Sequence, residues 1–239
     1  MWVTKHDEDD VFWSYQDLAV FLGLALPCLY CGVLIMKGAL TALNISASHK
    51  ALVVAPGQIV GATLLFTALA WILRLEYGRP FWRSLGWRRA NYPLSRIIAL
   101  GGAVALALAF LAPLLRAPEL PEPMKDLLND RASLIATAIY GVAFAPLIEE
   151  LAFRGFMQPL FVRSWGVMPG ILAAGVFFGL MHLPEYGYHW QYGVLIAMAG
   201  CSFGWMRWIS KSTMGSTIMH AAYNLILFLG FFAGGSKTN

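Results

Sequence analysis

The sequence predicts an all-α membrane protein, a polytopic bundle of about seven transmembrane helices. Hydrophobic residues make up 59% of the 239 residues and charged residues 13%, whereas a soluble domain has roughly 45–50% and about 25%. The mean hydropathy of +0.63 comes from long apolar blocks, several of which reach the ~20 residues that cross a bilayer. These features exclude a disordered chain, a disulfide scaffold, a soluble domain and a transmembrane barrel.

Seven apolar blocks are predicted to form the membrane spans. They are residues 18–36, 51–73, 97–115, 132–148, 167–183, 191–209 and 213–233. The chain is divided accordingly into a tail over 1–17, a first group of spans over 18–129, a helical core over 130–233 and a second tail over 234–239. The first tail carries four acidic residues at 7–10. It lacks the basic segment of a secretory signal, so the first span is expected to be retained.

Positive charges in the short loops predict the orientation. The segment 74–96 holds six arginines and is therefore expected to be cytoplasmic, together with the N-terminus, while the segment 116–131 lies outside. Tyrosine, phenylalanine and tryptophan interleave with these arginines, which is typical of a stretch lying at the lipid headgroups. Because six arginines lie in this one segment between spans, the net charge of +4 is interpreted as a topology signal, and no nucleic-acid partner is expected. The expected location is a bacterial-type inner membrane.

Ionisable side chains inside a bilayer indicate function, because each costs about 2.5–3.5 kcal/mol at the centre of a helix. The first group follows Pro146 and has the pattern EExxxR, formed by Glu149, Glu150 and Arg154. Glu150 and Arg154 are four residues apart, share a helix face and are predicted to form an ion pair. Glu149 points about 100° away. An ion pair alone leaves this second acid unexplained, so we assign it to a cavity.

Two histidines and an amide complete the set of polar residues. His182 lies near the end of the fifth span, and His220 and Asn224 share one face of the last span. Glu149 lies 14 residues before Arg163 and His182 lies 14 after Met168, so each is roughly 21 Å from the turn at 165–166. His220 and Asn224 are 7 and 11 residues into the last span, about 10–17 Å from the same face. The four groups are therefore expected to reach similar depths.

A carboxylate, two imidazoles and a carboxamide around one cavity suit hydrolysis. A base removes a proton from water, and hydrogen-bond donors hold the oxyanion that forms. We expect Glu149 to be the base and His182 to share the water. His220 and Asn224 are then expected to donate to the oxyanion.

The three motifs resemble those of the CPBP intramembrane proteases, the group that contains the Rce1-type CAAX prenyl endopeptidases and the Abi or bacteriocin-processing proteins. The EExxxR motif corresponds to Glu149, Glu150 and Arg154, the FxxxH motif to Phe178 and His182, and the HxxxN motif to His220 and Asn224. The resemblance implies a catalytic core over 130–233. It also implies an intramembrane endopeptidase whose partner is a membrane-anchored or lipid-associated protein or peptide. Prenylated CAAX tails are not implied.

The resemblance also implies roles for individual residues. Glu149 and His182 would activate water, and His220 and Asn224 would stabilise the intermediate. Glu150, Arg154 and Phe178 would support the site.

The cofactor stays open at this point. Two histidines and a glutamate equally suit a zinc site with an open fourth position, whereas an asparagine in place of a better ligand favours a mechanism without metal. A second metal alternative is the turn containing His182, Glu185 and His189, for which a solvated loop end is the favoured interpretation.

Other classes of membrane protein fit less well. The chain has no HExxH motif and no aspartate within a predicted span, which argues against site-2-type zinc proteases and presenilin-type aspartyl proteases. A serine protease would use Ser216 with His220, but the two residues would share one helix. Redox or metal chemistry at the CxxC of Cys28 and Cys31 is also disfavoured, because both lie in an apolar span where they behave as small hydrophobes. The alternative from another class is a non-catalytic scaffold, or a transporter-like protein, that uses the polar cluster for helix packing.

Overall fold

The computed structural model describes residues 11–45, 50–128 and 130–235 of the chain. In these ranges the protein is helical with connecting turns, as predicted, and the acidic residues at 7–10 lie outside them. The α-helices are α1 Tyr15–Ala42, α2 Lys50–Leu75, α3 Phe81–Ser84, α4 Leu94–Leu114, α5 Glu122–Lys125, α6 Arg131–Ile139, α7 Ala145–Glu150, α8 Gln158–Trp165, α9 Val167–His182, α10 Trp190–Ser210 and α11 Thr213–Gly235.

Two π-helical segments interrupt the regular α-helical geometry. They are Tyr140–Phe144, between α6 and α7, and Leu151–Met157, between α7 and α8. Residues 131–165 therefore form one continuous helical rod. The predicted fourth span, 132–148, is the first part of this rod, which continues to Trp165.

Seven long helical stretches correspond to the seven predicted spans. Five of those in the described residues are long and apolar enough to cross a membrane: Tyr15–Ala42, Lys50–Leu75, Leu94–Leu114, Arg131–Trp165 and Thr213–Ala233. The other two are α9, a shorter apolar helix of 16 residues, and α10, of 21 residues. The protein is thus an all-α bundle of the predicted kind.

The basic segments meet at one end of the bundle. Arg163 Nη1 donates to Val11 O at 2.6 Å, and Arg88 Nε donates to Lys211 O at 2.7 Å. At the same end the amide of Thr213 donates to Gly86 O at 3.0 Å. The positive-inside rule predicts that this end faces the cytoplasm.

The opposite end holds the connection between α4 and α6. Lys50 forms an ion pair with Asp126 there, at 3.4 Å, and the Tyr192 hydroxyl donates to Pro118 O at 2.6 Å. These contacts place 116–131 at the end away from the arginine-rich segment, as the predicted topology requires.

The rod 131–165 lies between two apolar clusters. The first joins α1, α2, α8 and the second π segment, with Leu69, Leu73, Phe156 and Leu160 all at most 1% exposed. The second joins α4, α9, α10 and α11 and includes Phe178 and Phe203. Side chains of the rod that point away from the first cluster therefore face α9, α10 and α11.

Small residues let α9 and α10 approach closely. A Cβ added to Gly179 would lie 2.3 Å from Gly193 O, and one added to Gly175 would lie 2.4 Å from Cys201 Sγ. A larger side chain at either position would push the helices apart. The tight pairing of α9 with α10 fixes the position of His182 at the end of α9.

A single glycine reverses the chain between α8 and α9. Gly166 has φ +87°, a backbone conformation that residues other than glycine rarely adopt. The predicted turn at residues 165–166 is confirmed, and it aligns α9 antiparallel to the rod.

Candidate active site

Glu150 and Arg154 form a fully buried ion pair on the rod. Arg154 Nη1 lies 2.9 Å from Glu150 Oε1, and both side chains are 0% exposed. Arg154 Nη2 also donates to Gly200 O at 2.7 Å. The predicted pair is therefore present. Burial in apolar surroundings requires partners of this kind for each charge.

Gly200 permits this second contact, because a Cβ at that position would lie 3.1 Å from Arg154 Nη2 and 3.0 Å from the Phe178 ring. A backbone carbonyl has two lone pairs. It can accept from Arg154 in addition to its bond within α10.

Glu149 faces the two histidines. Its Oε2 lies 3.8 Å from His182 Nε2 and 3.8 Å from His220 Nε2. The Glu149 side chain is 24% exposed and that of His182 is 18% exposed, so the cluster is open on one side. Three of the four groups in the depth argument, from the rod, α9 and α11, thus converge at one point, whereas Asn224 does not join them.

Hydrogen bonds at Nδ1 orient both imidazole rings. His182 Nδ1 is 2.7 Å from Phe178 O, and a carbonyl oxygen only accepts, so this nitrogen is the donor. His220 Nδ1 is 3.0 Å from Glu150 Oε1, which is an acceptor when ionised. Both rings therefore direct Nε2 towards Glu149, in the way that a second partner commonly fixes a functional histidine.

Aromatic rings enclose the charged groups. Phe178 lies with its ring centroid 4.5 Å from the Arg154 guanidinium carbon and 4.4 Å from the centroid of His182. Phe203 stacks on His220 at 4.3 Å with an interplanar angle of 19°. Phe178 thus contacts both the ion pair and a histidine. The sequence did not single out Phe203, because an aromatic residue in an apolar helix gives no distinct signal.

Asn224 contacts the rod instead of the two histidines. Its Nδ2 donates to Gly141 O at 2.6 Å, in the first π segment. An amide nitrogen has two hydrogens, so this bond uses one of them. The interaction links α11 to the rod on the N-terminal side of α7, while His220 links the two at Glu150.

Gln158 is a buried polar residue that the sequence analysis missed. Its Nε2 donates to Gly204 O at 3.0 Å. Gln158 follows Glu150 and Arg154 at the same four-residue spacing, and like Arg154 it bonds a glycine carbonyl of α10. The four-residue spacing of these three polar residues was a signal that could have found it.

Three alternatives from the sequence find no support in the contacts. The Ser216 hydroxyl is buried and donates to Thr213 O at 3.0 Å within its own helix. Cys28 and Cys31 are free thiols on α1. Among the side chains that the structure describes, no group of three or more His, Cys, Asp or Glu residues is arranged to hold a metal ion. That statement covers His182, Glu185 and His189 as well as the cluster at Glu149, so the metalloprotease alternative lacks support.

Residues 131–226 match the family described as type II CAAX prenyl endopeptidase Rce1-like. This part of the chain is similar to an Rce1-like endopeptidase domain. The resemblance inferred from the three motifs is confirmed, and the domain includes the rod, α9, α10 and most of α11. Neither the curated proteins nor the solved structures contain a match to the chain. The apolar helices identify an integral membrane protein, and residues 131–226 are similar to the CAAX-type endopeptidase family.

Proposed function

We propose that this protein is an intramembrane endopeptidase that hydrolyses a peptide bond in a membrane-anchored or lipid-associated protein or peptide. The observation that carries the proposal is the convergence of both histidine Nε2 atoms on Glu149 Oε2, at 3.8 Å each. Two groups this far apart can both reach one bridging water at ordinary hydrogen-bond lengths. We place the protein in a bacterial-type inner membrane with its N-terminus in the cytoplasm.

In this scheme Glu149 is the general base. Its carboxylate takes a proton from the water that it shares with His182, and the resulting hydroxide attacks the carbonyl carbon of the substrate. The C–N bond then breaks, and the proton held by Glu149 passes to the leaving amine. A positioned acid or base of this type typically contributes 10²–10⁴-fold to a rate.

His220 is the principal oxyanion donor in this scheme. Glu150 accepts from its Nδ1 at 3.0 Å, so Nε2 is the ring atom that faces the oxyanion, to which the ring donates in its protonated form. The hydrogen of Asn224 that does not bind Gly141 is the second donor. This assignment gives the buried pair of Glu150 and Arg154 a supporting role, because the pair holds Glu150 in place for His220.

The scheme uses no metal. We expect purified protein to cleave substrate at an unchanged rate after dialysis against EDTA, with elemental analysis confirming that zinc has been removed. A rate that falls on chelation and returns on addition of zinc would contradict this part of the proposal.

A scaffold is the competing interpretation, and the network of Arg154, Glu150, His220 and Gly200 O does join the rod, α10 and α11. The scaffold interpretation gives no role to the partly exposed Glu149, because the charge of Arg154 is already paired with Glu150. The protease interpretation accounts for both acids.

We predict that His182→Ala and His220→Ala each reduce cleavage by about 10²-fold or more, since the first removes a group at the water and the second removes an oxyanion donor. The measurement uses purified protein in liposomes with a library of single-span peptides, whose products are identified by mass spectrometry.

His189→Ala is the matched control, because this histidine lies seven residues after His182, is exposed and is outside the cluster. We expect it to cleave at the wild-type rate. Normal processing by both His182→Ala and His220→Ala, at normal levels of folded protein, would refute the proposed function.

A further inference from the structure

The first π segment contains a carbonyl that the helix itself does not satisfy. In an α-helical register Gly141 O would accept from Ala145, but the Ala145 amide donates to Tyr140 O. In the π register the next donor is residue 146, which is Pro146 and has no N–H. Both backbone donors for Gly141 O are therefore unavailable.

An orphaned carbonyl is costly in this part of the chain. Within a bilayer, backbone polar groups must be satisfied internally, since no bulk water is present to bond them. Asn224 Nδ2 lies 2.6 Å from Gly141 O. The side-chain amide thus occupies the place that a backbone N–H would otherwise take.

The contact depends on the close approach of α11. A Cβ added to Gly141 would lie 2.8 Å from the Phe228 ring, so a side chain there would push α11 away. Four residues before Asn224, His220 holds Glu150 at the other end of α7. One face of α11 therefore forms a hydrogen bond at each end of α7, to Gly141 just before it and to Glu150 at its last residue.

The register of this segment controls where Glu149 points. A π segment contains one residue more than the corresponding α-helical turns, and its loss would rotate every following residue by about 100°. Such a rotation would carry Glu149 away from His182 and His220. The π segment must therefore be preserved for Glu149 to face His182 and His220.

We propose that the Asn224 amide replaces the backbone N–H that Pro146 lacks, and that Asn224 is by this route a positioning residue for Glu149. The inference rests on the proposed function for its effect on cleavage, but the helix register is a separate observable. It also makes a specific prediction: restoring an N–H at position 146 should reduce the need for Asn224.

The test compares Asn224→Ala, Pro146→Ala and the double variant, with Pro159→Ala combined with Asn224→Ala as the matched control. Pro159 lies on the same rod, beyond the second π segment. The readouts are cleavage of the single-span peptide library and hydrogen exchange of the backbone amides of residues 145–150 in micelles.

We expect Asn224→Ala to lower kcat at least 30-fold with little change in KM, and to speed amide exchange in 145–150 at least tenfold. The double variant with Pro146→Ala should recover at least tenfold in kcat and regain the slow exchange, whereas the variant with Pro159→Ala should not. If Asn224→Ala fails to fold, recovery of folded protein by Pro146→Ala supports the proposal in the same way.

A double variant with Pro146→Ala that is no more active than Asn224→Ala would overturn the proposal, and so would exchange that stays fast. If the wild-type protein cleaves nothing, the proposed function fails. The exchange measurements would still decide whether Asn224 holds the segment.

Discussion

Glu149→Gln should reduce cleavage of the single-span peptide library by about 10³-fold and leave the fold intact. The substitution keeps the size of the side chain but removes the base that takes the proton from water. Because Glu149 is 24% exposed and the paired acid is Glu150, the loss of this charge leaves no buried cation without a partner. Cleavage rates in liposomes and the thermal unfolding midpoint in detergent measure the two effects.

Glu119→Gln is the control for this variant. The Glu119 side chain is 95% exposed, in the connection between α4 and α6, and its loss should change neither quantity. Cleavage by Glu149→Gln at the wild-type rate would favour the scaffold interpretation, which requires no base at this position.

Arg154→Ala should destabilise the protein by about 3–5 kcal/mol, the usual cost of leaving one member of a buried pair uncompensated. The guanidinium donates to Glu150 at 2.9 Å and to Gly200 O at 2.7 Å, so its removal leaves a charge and a carbonyl without these donors. We expect little folded protein in detergent, measured by size-exclusion chromatography and thermal unfolding.

Arg163→Ala is the matched control on the same rod. Arg163 is exposed and donates to Val11 O at 2.6 Å, so its removal should cost well under about 1 kcal/mol. An Arg154→Ala protein that is as stable as wild type but inactive would show that the division between structural and catalytic residues is wrong.

The sequence alone predicted the elements that rest on composition and spacing. Apolar blocks of about 20 residues gave the seven long helices, and the four-residue spacing of Glu150 and Arg154 gave their ion pair. Counting residues from the turn at 165–166 placed Glu149 and His182 at the same depth, and they do meet. These inferences succeed because helix rise and face follow directly from residue number.

The sequence did not predict the features that arise from irregular backbone and from contacts between helices. A regular helix gives no reason for Asn224 to bond Gly141, since the Gly141 carbonyl is left open by the π segment before Pro146. The orientation of the histidines likewise depends on Phe178 O and Glu150, which lie on particular faces once the helices pack. Spacing along one helix carries no information about these partners.

The most direct test of the central claim compares new peptide termini in membranes of cells that express the wild-type protein or Glu149→Gln at equal levels. The account predicts a set of cleavage products, in or beside membrane-anchored segments, that appears with the wild type and is missing with the variant. Identical termini in the two membranes, with both proteins folded and abundant, would contradict the assignment of Glu149, His182 and His220 as a peptide-hydrolysing site.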